Sequence, residues 1–242
     1  MRLLFTLQYL GTRYAGWQSQ TNAVAVQDVV ETVLAKLFGA PIRVEAAGRT
    51  DAGVHASAQK AHCDIPFAIP HAGLIRGMND LLPRDVRALA VEEIPDDFHC
   101  RFRAKRKTYV YRIWNDEVMD VFRWETHAQA RQPLDDTVMR DAARVLLGIH
   151  DFRAFTVMEP EVSSTERTIT ALALERLGQV ITIRITADGF LRFMVRRVVG
   201  SLIEIGRGKL DGDALRRSLE PTFEPARWTA PPRGLTLEAI EY

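Results

Sequence analysis

One carboxylate stands out by its neighbours. Asp51 lies in the run Gly48-Arg49-Thr50-Asp51-Ala52-Gly53, with a cation two residues before it and a glycine on either side. Glycine admits backbone angles that a Cβ forbids, so Gly48 and Gly53 predict a sharply turned loop that a ligand can approach closely. An apolar run ending in such a loop presents its polar residue at an edge. A cation within a few ångström, Arg49, would favour the ionised form of Asp51. An ionised carboxylate is a competent nucleophile for covalent catalysis. The same residues could equally make a solvated turn with a surface ion pair, a contact contributing only ~0–1 kcal/mol and needing no function.

A second concentration of chemistry follows. The net charge of +1 conceals an asymmetry: residues 1–100 carry −2 and residues 113–242 carry −3. Arg101, Arg103, Lys105, Arg106, Lys107 and Arg112 supply +6 without an intervening acid. Cations concentrated in this way suit phosphate contacts, which dominate nucleic-acid affinity and make it salt-dependent. Phe102, Tyr109, Tyr111 and Trp114 are interleaved with them, and aromatic faces beside cations are what unpaired RNA bases stack on.

Other chemistries find less support. No phosphate-loop or dinucleotide motif is present. His55, His62 and Cys63 are conceivable metal ligands, but no second cluster in the sequence completes a site, so no metal and no cofactor are expected. Cys63 and Cys100 are the only cysteines and read as buried thiols of a reducing compartment. The composition, 47% hydrophobic and 26% charged, is that of a soluble globular protein. No apolar run approaches the ~20 residues that span a bilayer. Gln8 and Tyr9 interrupt the N-terminal apolar stretch, so no signal peptide and a cytoplasmic protein are expected.

The elements that must position these residues follow from periodicity. Arg2 to Leu10 alternates as a strand. Val26, Val30, Val33, Leu34, Leu37 and Phe38 recur at helical spacing and stop at Gly39-Ala40-Pro41. Ile42 to Ala47 and Gln59 to Ile65 read as strands flanking the Asp51 loop, Ala72 to Leu81 as a helix and Val86 to Ile94 as a strand. The second half repeats the order: strand Thr108 to Asn115, helix Asp136 to Leu147, a hairpin of Ile169–Leu177 and Val180–Ala187 around Gly178, helix Phe190 to Ile205, and strand Leu235 to Tyr242. Two βαββαβ units predict an α+β fold of duplicated ferredoxin-like halves, residues 1–103 and 104–242, with a mostly antiparallel central sheet. A cleft between two such halves is the expected place for a ligand.

The stretch Ala46 to Ala56 closely resembles the catalytic loop of the TruA family of tRNA pseudouridine synthases, in which the Asp of G-R-T-D-A-G-V-H is the nucleophile. The resemblance runs the length of the chain. Tyr9-Leu10-Gly11-Thr12-Arg13-Tyr14-Ala15-Gly16-Trp17-Gln18 is similar to Y-D-G-x-x-Y-x-G-W-Q, with Leu10 where Asp is usual. Asp97-Phe98-His99-Cys100-Arg101-Phe102 is similar to D-F-H-A-R-F, and Tyr109-Val110-Tyr111 follows as Y-x-Y. Phe193 to Gly200 resembles H-M-V-R-x-x-V-G, with Phe193 in place of His, and Ala230 to Leu235 matches A-P-P-x-G-L. This resemblance implies isomerisation of uridine to pseudouridine in the anticodon arm of tRNA, at positions 38 to 40, by a cytoplasmic homodimer. It implies Asp51 as nucleophile and Tyr109 and Leu235 against the target base. Arg49 is expected to orient Asp51. Arg196, on an otherwise apolar helix where a charge needs a partner, is expected to pair with it. Arg103, Lys105, Arg106 and Lys107 are the candidate phosphate donors. Two other classes fit parts of the pattern: a silent RNA-binding module would not need the Gly-Arg-Thr-Asp-Ala-Gly loop, and a small-ligand domain would not need the basic segment.

Overall fold

Strand β1 (Arg2–Tyr9) buries Leu3, Leu4, Phe5, Leu7 and Tyr9 and is the centre of the first half of the chain. The computed structural model describes residues 1–157, 163–220, 222 and 225–242. It divides into two units, Met1–Lys105 with Leu237–Tyr242, and Arg106–Thr236.

In the first unit β1 leads through helix α1 (Val26–Phe38) to the short β2 (Glu45–Ala46), then to β3 (His55–Asp64), helix α2 (His71–Leu81) and β4 (Val86–Ile94). Helix α1 starts where the Asp28 carboxylate accepts the Ala25 N–H at 2.9 Å, an N-terminal cap that satisfies an orphan donor. It ends at Gly39, left-handed at φ 68°, the conformation glycine adopts without a Cβ penalty. β1 pairs antiparallel with β3 on one side and with β4 on the other, and β2 pairs antiparallel with β3. The spatial order β4-β1-β3-β2 is that of a ferredoxin-like βαββαβ unit.

The expected strand Ile42–Ala47 contracts to two residues for a visible reason. The Val44 N–H donates to Glu31 Oε1 at 2.9 Å and its carbonyl accepts from Gln27 Nε2 at 3.1 Å. Side chains of α1 thus take the backbone groups that a ladder would have used. β3, in contrast, begins four residues earlier than the periodicity suggests, at the exit of the Asp51 loop.

The second unit opens with β5 (Arg106–Trp114), to whose end the short β6 (Ala128–Gln129) pairs in parallel. Helix α3 (Asp136–Ala143) is capped by Asp135, whose carboxylate accepts the N–H groups of Thr137 and Val138. It tightens into a 3-10 turn over Arg144–Leu146 instead of running to Leu147. Then follow β7 (Gly148–Asp151), β8 (Glu166–Leu177), β9 (Val180–Ala187), α4 (Met194–Gly206), α5 (Ala214–Ser218) and β10 (Leu235–Glu241), of which residues 237–241 belong to the first unit. The order β5-β9-β8-β7 is antiparallel throughout. α4 starts four residues later than expected, because Phe193 takes the left-handed conformation (φ 62°) at its N-cap. The helix is buried from Val198 to Gly206 and packs on α3, where a Cβ on Gly206 would come within 2.6 Å of Met139 Sδ.

Candidate active site

Asp51 is half-buried on the loop joining β2 to β3. The Val54 N–H donates to the Asp51 carbonyl at 3.1 Å and closes a turn in which Gly53 is left-handed, at φ 77°. Gly48 enters differently: its carbonyl accepts from Gln59 Nε2 at 2.7 Å.

The loop is held from behind by the segment that follows β1. Trp17 N–H donates to the Thr50 carbonyl at 3.1 Å, and Gly53 N–H to the Tyr14 carbonyl at 3.2 Å. Gly11 N–H donates to His55 Nδ1 at 2.9 Å, at the first residue of β3. Two glycines make this approach possible. A Cβ on Gly16, itself at φ 90°, would lie 2.5 Å from the Thr50 carbonyl oxygen, and one on Gly11 would lie 1.9 Å from that of Val54. The Tyr9-to-Gln18 motif and the Asp51 motif are therefore one structure, packed backbone to backbone. Sequence spacing shows both motifs and conceals their contact.

A buried polar chain locks the same loop. Gln59 Nε2 donates to the Tyr9 hydroxyl at 3.3 Å, and that hydroxyl pairs with Thr50 Oγ1 at 2.8 Å. Burial pushes the Tyr9 phenol up to about 12, so it remains a neutral hydroxyl bracing the residue before Asp51. Tyr9, Thr50 and Gln59 thus brace the loop through contacts that sequence reasoning did not reveal. Arg49 is exposed, and among the described residues it makes no ion pair.

The second unit carries the remaining candidates. Tyr109 on β5 is buried with its ring edge-on to Phe190, centroids 5.0 Å apart. Arg196, on the first turn of α4, donates through Nε to the Ala230 carbonyl at 2.9 Å, while the Ala230 N–H donates to the Arg196 carbonyl at 2.9 Å. Its guanidinium also lies over the Phe193 ring, 5.4 Å from the centroid. The Ala230-to-Leu235 segment thus fixes Arg196, and it fixes Tyr111 as well. The Tyr111 hydroxyl donates to the Pro231 carbonyl at 2.8 Å, and a Cβ on Gly234 would lie 2.5 Å from the Tyr111 ring. Leu235 is buried at the head of β10.

The basic segment divides by role. Arg103 is ion-paired with Asp97 at 3.2 Å, whereas Arg101, Lys105 and Arg106 are exposed and Lys107 is half-buried. Phe102 is 76% exposed, with the His99 ring 4.3 Å away and the Arg101 guanidinium 5.9 Å from its centroid. An exposed aromatic beside cations is a stacking surface for a nucleobase. No helix among the described residues is long and apolar enough to cross a membrane.

Comparison with known proteins places the whole chain in one family. The family model described as tRNA pseudouridine synthase matches residues 6–103 and 142–242. The tRNA pseudouridine synthase A of Moorella thermoacetica is 44% identical over 243 residues, covering 99% of each chain. That of Myxococcus xanthus is 41% identical, covering all of this chain and 92% of the relative, and that of Solibacter usitatus is 41% identical over 246 residues. This chain therefore belongs to the TruA family of tRNA pseudouridine synthases, a family of isomerases.

Proposed function

We propose that this enzyme isomerises uridine to pseudouridine at positions 38 to 40 in the anticodon arm of tRNA, with Asp51 as nucleophile and without a cofactor. The observation that carries the reading is the Asp51 loop itself, a carboxylate on a turn braced by Trp17, Gly16 and the Tyr9–Thr50 hydroxyl pair. A rigidly presented carboxylate suits covalent catalysis, in which one difficult displacement becomes two easier ones. The N1–C1′ glycosidic bond breaks, the uracil turns, a C5–C1′ bond forms, and the C5 proton leaves while N1 gains one. Asp51 attacks either ribose C1′ or uracil C6 in this scheme.

Arg196, held by Ala230 and Phe193, supplies the cation that stabilises the Asp51 carboxylate. Arg49, exposed in the free protein, orients Asp51 once RNA is bound. Tyr109 and Leu235 receive the extruded base, and removing that base from its stack costs a few kcal/mol that phosphate contacts offset. Arg103, Lys105, Arg106 and Lys107 make those contacts. The enzyme works in the cytoplasm as a homodimer.

The test is release of tritium from tRNA labelled at uracil C5, with wild type and Asp51→Asn side by side. Release by wild type alone, with tRNA binding retained in the variant, supports the assignment. Turnover by Asp51→Asn removes Asp51 as nucleophile, and release by neither protein returns the chain to a binding role.

A further inference from the structure

We propose that His62, His99 and Cys100, together with the Glu45 carboxylate, form a zinc-binding site in the first unit, apart from the Asp51 loop. The sequence set His62 beside His55 and Cys63, but the fold separates these three. Successive residues of a strand point to opposite faces, so Cys63 lies behind β3 from His62. On the His62 face three donor atoms, one each from His62, His99 and Cys100, lie within 4.8 Å of one another. His62 Nδ1 is 3.1 Å from Cys100 Sγ, and the His62 and His99 rings meet edge to face at 4.8 Å.

The nearest candidate for a fourth donor is a carboxylate beside His99. Glu45 is paired directly opposite His62 across the β2–β3 ladder, and its Oε2 lies 2.9 Å from His99 Nε2. Donors of a tetrahedral zinc site stand about 3.3–3.8 Å apart, from Zn–N bonds of about 2.0 Å and Zn–S bonds of about 2.3 Å. The His62, His99 and Cys100 donors, within 4.8 Å of one another, would need to close by about 1 Å to reach those separations. Two imidazoles, a thiol and a carboxylate form a borderline-soft set that selects zinc over magnesium or calcium.

The surroundings fit an ion as well. His62 and Cys100 are buried, whereas the His99 and Glu45 side chains are 26% and 63% exposed, which leaves an entry path from solvent. Loading releases the Cys100 thiol proton to solvent and leaves a thiolate on the metal. Such a site would tie β2, β3 and the 99–100 turn together beneath the exposed Phe102.

The full-length protein, stripped with a chelator, is titrated with Co²⁺ and then with Zn²⁺. One Co²⁺ per chain with tetrahedral visible bands and a thiolate-to-cobalt charge-transfer band, displaced by Zn²⁺, is the expected result. Cys100→Ser should abolish the charge-transfer band and weaken Zn²⁺ binding at least about tenfold. His99→Gln, a change at a partly exposed ring that spares the core, should weaken it similarly. Cys63→Ser should leave the spectrum unchanged. Absence of the band in wild type, or equal Zn²⁺ affinity in wild type, Cys100→Ser and His99→Gln, overturns the site.

Discussion

The carboxylate proposed to do the chemistry is held by residues that do none. Gly16 illustrates the demand most sharply, because it combines a positive φ of 90° with a backbone contact where a Cβ would lie 2.5 Å from the Thr50 carbonyl. A side chain in that conformation alone costs ~1–3 kcal/mol, and the overlap must be relieved by moving the loop. Gly16→Ala should therefore lower the stability measured by urea denaturation by at least that amount and depress kcat, with KM for tRNA little changed. The Tyr9–Thr50 pair makes a subtler prediction. Tyr9→Phe removes a buried hydroxyl and takes from Thr50 Oγ1 its 2.8 Å partner, while Gln59 keeps the Gly48 carbonyl, at a cost of ~1–3 kcal/mol. Thr50→Ser keeps the hydroxyl and should retain most of kcat, whereas Thr50→Val should not. Loss of activity in Thr50→Ser equal to that in Thr50→Val would show that the methyl group, not the hydrogen bond, matters.

At the level of elements, what was legible in the sequence depended on how local its cause was. α1, β4 and β9 match their expected bounds, since each is set by its own periodicity and by a stop signal such as Gly39. β2 shrank because Gln27 and Glu31, a helix away, took the Val44 backbone, and the start of α4 moved because Phe193 went left-handed. Neither event leaves a trace in local spacing. The same holds for the site: the Asp51 loop was readable as a motif, while its contact with Gly16 and the meeting of His62 with Cys100 needed the fold. The α3 N-cap is local, and its energy can be predicted. Asp135 accepts two backbone N–H groups at 3.0 and 3.1 Å, so Asp135→Ala should cost ~1 kcal/mol in thermal or urea unfolding, and Asp135→Ser should recover most of it.

Over the whole molecule, two charge effects set the response to pH and to salt. His127 is buried beside Arg123 and Thr126, and burial together with the Arg123 charge lowers its pKa from 6.5 to about 4. A group whose folded pKa is depressed contributes stability above its unfolded pKa and loses it as pH falls through the folded value. Stability should therefore fall between about pH 6.5 and 4, and His127→Gln should flatten that limb. Below it, protonation of Asp136, held low by Arg176 and Arg140, adds a second decline. The basic segment is proposed to draw in RNA. Each phosphate neutralised releases condensed counterions, so log affinity falls with log salt by roughly 0.7–0.9 per contact. Arg103 is already paired with Asp97 and should matter least, and the double change Arg106→Ala with Lys107→Ala tests two adjacent proposed phosphate donors at once. It should weaken tRNA binding several-fold near physiological salt and reduce the slope by roughly 1–2, while Arg103→Ala changes the slope little. Fluorescence anisotropy with labelled tRNA across a salt series reads both quantities. A slope left intact by the double variant would place the phosphate contacts on cations other than Arg106 and Lys107.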